Sequence, residues 1–141
     1  MKLVIDASVA TKWVLNEEHA EASLRVLAAG FSLHAPSHWL GEVGTALWSS
    51  SAVRRELTQE ACRERYDWVL SLDIAEEPIR RLAAPALSIA FDLGLTVYDA
   101  LYIALSKRIR APLVTADRKL RDRVARQEPG SDLVLWIEDV P

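Results

Sequence analysis

The sequence predicts an α/β fold, a three-layer α/β/α sandwich with helices on both faces of a mainly parallel sheet, in one domain spanning residues 1–141. Three observations carry that expectation. Short apolar runs alternate with longer segments of helical periodicity, the pattern of β-α-β units whose right-handed crossovers build a parallel sheet. The chain has 141 residues, about one domain, and half are hydrophobic against 26% charged, so a packed core is expected. The five glycines and six prolines are scattered singly, with no repeat, linker or low-complexity tract to mark a boundary.

The elements follow in order. Lys2-Leu3-Val4-Ile5 reads as a short buried strand ending at Asp6. Ser8 is expected to cap a helix through about residue 16, and a second helix covers about 19–29. Residues 31–35 form a strand stopped by Pro36. Ser37 then caps a helix to about 51, with Leu40, Val43 and Leu47 on its inner face. Thr58 opens a helix to about 71, followed by a weak strand at 72–75. Pro78 begins a helix that Gly94 stops after Leu93. Thr96 opens an apolar helix ending near Arg108. Residues 112–115 are a strand, 117 to about 126 a helix, and 133–136 the last strand.

Charge and composition exclude several classes. No stretch approaches the roughly 20 apolar residues of a membrane span, and the apolar start before Asp6 is too short for a signal peptide. One cysteine, Cys62, allows neither an internal disulfide nor a cysteine-based zinc site, so a reduced, cytoplasmic setting is expected. The net charge is −3, but residues 1–100 carry −5 and residues 101–141 carry +2. Eight basic residues lie between Lys107 and Arg126, opposed there only by Asp117 and Asp122. Such a segment is compatible with nucleic acid or with a solvated helix face.

The chemistry is expected at one edge of the sheet. Open parallel sheets bind ligands outside the carboxyl ends of their strands. Asp6 follows the first strand and Asp117 lies two residues past the 113–115 strand, so both project from that edge. Glu42, between Gly41 and Gly44 early in its helix, and Asp99, in the first turn after Thr96, can join them. The two glycines suggest close approach to the sheet edge. Ser8 and Thr115 would bring hydroxyls to the rim. Each residue also has a local reading: Asp99 as the acidic half of a capping box, Asp117 as an N-cap, Asp6 and Ser8 in a turn or cap, Glu42 facing solvent. Four carboxylates together repel unless a cation neutralises them, and all-oxygen ligands select Mg²⁺ or Mn²⁺ over zinc. That chemistry suits phosphodiester hydrolysis by an activated water.

Other motifs are poor. There is no glycine-rich phosphate loop and no Gly-x-Ser-x-Gly elbow. Pro36 separates His34 from His38, so a helical metal pair is not expected. Trp13 and Trp48 are read as core or as the lining of a partner groove.

Four segments resemble the motif series of PIN-domain ribonucleases: Val4-Ile5-Asp6-Ala7-Ser8; Pro36 followed by Glu42; Val97-Tyr98-Asp99-Ala100-Leu101-Tyr102-Ile103-Ala104; and Leu113-Val114-Thr115-Ala116-Asp117-Arg118-Lys119-Leu120. Size and motif order are most similar to the VapC toxins of toxin–antitoxin pairs. The resemblance implies a five-stranded parallel sheet, a homodimer, endoribonuclease activity dependent on Mg²⁺ or Mn²⁺, and inhibition by a VapB-type antitoxin, with DNA met only through the antitoxin complex. It implies Asp6, Glu42, Asp99 and Asp117 as metal-binding acids, supported by Ser8 and Thr115. A further acid that some members carry after the fourth is missing, since Ala116 and Arg118 flank Asp117. Lys107, Arg108, Arg110, Arg118, Lys119 and Arg121 are expected to meet RNA phosphates. Two alternatives stay open from sequence: a regulatory antitoxin-binding protein without its own nuclease activity, and a DNA nuclease on the same fold.

Overall fold

The computed structural model describes residues 1–141 and contains five strands and seven α-helices. In chain order these are β1 (Lys2–Ile5), α1 (Ala7–Val14), α2 (Ala20–Ala28), β2 (Ser32–Pro36), α3 (Trp39–Ala52), α4 (Gln59–Leu70), β3 (Ala75–Glu77), α5 (Ala83–Leu93), α6 (Val97–Ile109), β4 (Leu113–Thr115), α7 (Arg118–Gln127) and β5 (Val134–Trp136). The strands make one sheet in the order β3-β2-β1-β4-β5, and every pairing is parallel. With right-handed crossovers, the connections moving from β1 toward β3 place α1–α4 on one face. Those moving through β4 to β5 place α5–α7 on the other. The packing agrees: α1 meets α2, α3 and α4, whereas α6 meets α5, β1, β2 and β4, and α7 meets β4 and β5. This is the expected α/β/α sandwich.

The strand order reverses between β1 and β4. At such a switch point the segments leaving neighbouring strands turn to opposite faces and open a crevice at the carboxyl edge. Backbone N–H groups of Val4 and Asp6 donate to the Pro112 and Val114 carbonyls, at 2.9 and 3.3 Å, so the ladder carries Asp6 up to that crevice. Leu3, Val4, Ile5, Leu113 and Val114 are fully or almost fully buried, as strands covered on both faces must be. Helix α6 is buried all round from Ala100 to Ser106, held between the sheet and α5. No single helix is long and apolar enough to cross a membrane.

Several local expectations are corrected. Asp6, not Ser8, is the N-cap of α1, accepting from the Val9 N–H at 3.2 Å. Ser37 does not cap α3; its hydroxyl accepts from the Ile79 N–H and pins the turn after β3, while His38 stands at the helix start. β2 runs through Pro36, which pairs with Glu77 beyond the end of the β1 register, so its missing N–H is not needed by β1. β3 lies at Ala75–Glu77, shifted from 72–75, because this edge strand exposes Ala75 and Glu76 while Leu72 and Ile74 pack against the core before it. The helix expected from Pro78 is a single tight turn at Ile79–Arg81 and then α5, anchored between them by buried Leu82. Trp13 is a core residue, edge-on to Trp39 and donating to the Ser23 carbonyl. Trp48 is exposed beside Leu47, Cys62 and Tyr66 in a shallow cleft between α3 and α4.

Candidate active site

Four helix starts converge on the carboxyl edge of the sheet, and each brings one acid. Asp6 is the N-cap of α1, Glu42 is in the first turn of α3, Asp99 is in the first turn of α6 and Asp117 is the N-cap of α7. Unpaired N–H groups and the helix dipole make each N-terminus favourable for negative charge, which offsets part of the repulsion among the carboxylates. All four line one cleft of about 730 Å³, together with Ser8, His38, Tyr98 and Tyr102.

Asp6 is the most enclosed, with 5% of its surface exposed. Ser8 Oγ donates to its Oδ1, and Thr115 Oγ1 donates to Oδ2 at 2.5 Å. The two hydroxyls are themselves held by the backbone after β4: the Ala116 N–H donates to Ser8 Oγ at 2.9 Å and the Asp117 N–H to Thr115 Oγ1 at 3.0 Å. One hydrogen-bond system thus ties the ends of β1 and β4 across the switch point. Burial nevertheless dominates the acid's equilibrium. It pushes Asp6 up to about 6 against those donors, and the charge of Asp117 adds to the rise.

Glu42 is half-buried and accepts from the Tyr102 hydroxyl at 2.5 Å. Burial raises its affinity for a proton while that bond opposes the rise. Burial also raises Asp99, with the charges of Asp117 and Glu42 pushing in the same direction. The Tyr102 phenol is pushed far above its usual range by burial and by Glu42, so it remains a hydrogen-bond donor at every physiological pH. The charge of Asp117 thus reaches both Asp6 and Asp99, and that of Glu42 reaches Asp99. No three of them are gathered closely enough to grip an ion directly. The all-oxygen set instead fits a hard divalent cation that keeps part of its water shell between itself and the protein, as Mg²⁺ does.

The local readings hold in part. Asp117 is a real N-cap, its Oδ1 accepting from Lys119 and Leu120 N–H at 2.8 and 3.2 Å, which leaves Oδ2 for the cleft. Thr96 caps α6 by accepting from the Asp99 N–H, but the Asp99 carboxylate does not return a bond to the Thr96 backbone, so the capping box is only half made. The glycine reading changes. A Cβ at Gly44 would stand 3.1 Å from the Tyr66 hydroxyl, so this glycine admits α4 rather than the sheet edge. Gly41 faces open space in the cleft wall.

The basic residues divide into two sets. Arg118 and Lys119 stand exposed on the first turn of α7 beside Asp117. Arg118 and Arg121 lie 5.2 and 4.9 Å from the Trp136 ring, and Arg121 is bonded to Asp122. Lys107 and Arg108 are eight and nine residues beyond Asp99, about 12–14 Å along α6, and line no part of the acidic cleft. Lys107 pairs with Glu128 just past α7, and Arg108 with Glu77 at the end of β3. Arg110, in left-handed conformation, ends α6. The structure does not bring Lys107, Arg108 or Arg110 to the acidic cleft.

Sequence reasoning missed His38, Tyr98 and Tyr102 as cleft residues. The available signal was helical spacing: His38 is four residues before Glu42, and Tyr102 is three after Asp99.

A family model described as the PIN domain matches residues 3–126. The chain belongs to the PIN domain family. Ribonuclease VapC3 of Pyrobaculum aerophilum is 29% identical over 126 residues, covering 87% of this chain and 95% of that protein. Ribonuclease VapC12 of Mycobacterium tuberculosis is 30% identical over 121 residues, covering 84% and 88%. Among solved structures, PAE2754 from Pyrobaculum aerophilum superposes with a TM-score of 0.69 at 24% identity, covering 98% of this PIN chain and 85% of that one. VapBC2 from Rickettsia felis, bound to a DNA fragment from its promoter, superposes with a TM-score of 0.63 at 17% identity, covering 96% and 98%. These two share the PIN fold.

Proposed function

We propose that this PIN-domain protein is a metal-dependent endoribonuclease, the toxin of a toxin–antitoxin pair. The observation that carries the reading is the buried Asp6, fixed by Ser8 and Thr115 at the switch point, in a cleft that also holds Glu42, Asp99 and Asp117. Relatives named VapC ribonucleases align over more than four-fifths of the chain and support the choice of RNA. Asp6, Glu42, Asp99 and Asp117 are the residues that would hold Mg²⁺ or Mn²⁺, whose positive charge there would draw in a phosphodiester and make a neighbouring water more acidic. Ser8 and Thr115 favour the ionised form of Asp6 against burial and aim it, and Tyr102 fixes one oxygen of Glu42. Arg118 and Lys119 offer phosphate contacts at the rim, holding RNA without reading its sequence.

A VapB-type antitoxin is the proposed inhibitor, covering the apolar α3–α4 surface around Trp48 and presenting a basic side chain to the acidic cleft. DNA would be met only through that complex. A cytoplasmic homodimer completes the proposal. The test incubates purified protein with matched RNA and DNA hairpins, with Mg²⁺ or Mn²⁺ and with a chelator. RNA cut only with metal, and not by Asp6→Asn, is the expected result. Equal cleavage of the DNA hairpin would reassign the substrate, and chelator-resistant cleavage would reject the acidic cleft as the site.

A further inference from the structure

Tyr98 is placed where a core residue would not be. The residue is 63% exposed and lines the acidic cleft, one position before Asp99. Behind it lies His38, with ring centroids 5.7 Å apart and planes tilted by 33°. His38 in turn lies 4.8 Å from the ring of Tyr102, whose hydroxyl holds Glu42. Three rings therefore step from solvent down to the floor of the cleft, and the outermost has a free face.

The middle ring adds a second observation. The His38 side chain is only 9% exposed, and neither ring nitrogen has a hydrogen-bond partner. Its Nε2 stands 3.8 Å from Glu42 Oε2, beyond bonding distance, and burial favours its neutral form against the opposing pull of the Tyr98 backbone and Asp99.

A ring backed by a buried neighbour, with its other face open, suits a nucleobase, whose flat π face can lie on Tyr98. A base paired inside an A-form helix has both faces covered and cannot do this; an unpaired base can. We propose that Tyr98, backed by His38, is a stacking platform for an unpaired nucleobase next to the phosphate that is cut. This rests on the ribonuclease reading and adds to it the residue that positions a base beside the cut. Tyr98 positions the substrate and takes no part in proton transfer.

The test uses the full chain and a set of single-stranded RNA 8-mers, each with the fluorescent base 2-aminopurine at one position, titrated in Ca²⁺ buffer. At one position the parent is expected to quench the fluorescence, and annealing a complementary strand should abolish the quench. Tyr98→Ala and Tyr98→Leu should lose it and bind roughly 5- to 150-fold more weakly, the range that base–aromatic stacking supports. Tyr98→Phe should restore both signals. An abasic residue at that position should erase the difference between parent and Tyr98→Ala. Quenching and affinity that survive Tyr98→Ala and Tyr98→Leu would overturn the platform, as would an 8-mer bound without quenching at any position. Cleavage with Mg²⁺ by the parent and by Asp6→Asn separates the two ideas. If only the parent cuts and no quench appears, the platform alone fails; if Asp6→Asn cuts equally, the ribonuclease reading fails.

Discussion

Replacing Asp6 by Asn removes one charge from the most buried point of the cleft, and the structure sets the sign of the effect on stability. A carboxyl held near 6 in the fold and near 3.8 in the unfolded chain binds its proton more tightly when folded. Its stabilising contribution is therefore complete below about pH 3.8 and is lost as the pH rises through about 6. At about 1.36 kcal/mol for each pH unit between the two values, ionised Asp6 costs about 3 kcal/mol at neutral pH. Asn removes that cost but cannot accept from both Ser8 and Thr115 as the carboxylate does, and one weakened bond returns about 1 kcal/mol. The net gain is about 2 kcal/mol, or roughly 6 °C in melting temperature for a chain of this length. Thermal melts in chelator at pH 7.5 should show the variant as the more stable protein, and melts near pH 4 should show the gap closed or reversed. Millimolar Mg²⁺ should raise the parent's melting temperature, since a ligand of the folded state stabilises it, and should do little for the variant. RNA cleavage should be lost. A variant destabilised equally at both pH values would show that Asp6 matters only as the α1 cap, and retained cleavage would remove it from the chemistry.

Other outcomes follow from single contacts. Tyr102→Phe keeps the buried ring and deletes the donor to Glu42; circular dichroism should be unchanged while cleavage at limiting Mg²⁺ falls about tenfold, as expected for loss of a charge-assisted bond. Neutralising Arg118 and Lys119 together should lower the slope of log affinity against log salt for single-stranded RNA by about 1.4, measured by anisotropy, whereas Lys107→Gln, remote and paired with Glu128, should leave it unchanged. A structure of the antitoxin complex should show an Arg or Lys side chain between Asp6 and Asp117; an acidic cleft left uncovered in that complex would exclude this mode of inhibition.

The buried central strands and the apolar α6 were readable because each is a continuous apolar run with clear limits, Lys2–Ile5 ending at Asp6 and Val97–Ile109 opening after Thr96. The edge was harder. β3 is three residues long and two of them are exposed, so hydrophobic pattern pointed to Leu72 and Ile74, which serve the core without joining the sheet. Only pairing with His34–Pro36 determines where the strand lies, and that register is a long-range fact. Caps failed for a similar reason. Ser8 and Ser37 have the right composition for N-caps, but Ser8 is drawn to Asp6 and Ala116 and Ser37 to Ile79, partners that local sequence does not announce.

The carboxylates show why a local reading and a functional one need not compete. Asp117 gives one oxygen to the α7 N-terminus and keeps the other for the cleft, so being a good cap is also what fixes it in place. Asp6 caps α1 through Oδ1 and is held through Oδ2 by a threonine 109 positions away. Capping positions an acid at a helix N-terminus, and the parallel sheet gathers helix N-termini at one edge. Spacing along the chain could therefore indicate the edge at which these acids meet. It could not show the three rings stepping down to Glu42, because His38 and Tyr98 reach the cleft from helix starts on opposite faces of the sheet, and only the closed sandwich brings their rings together.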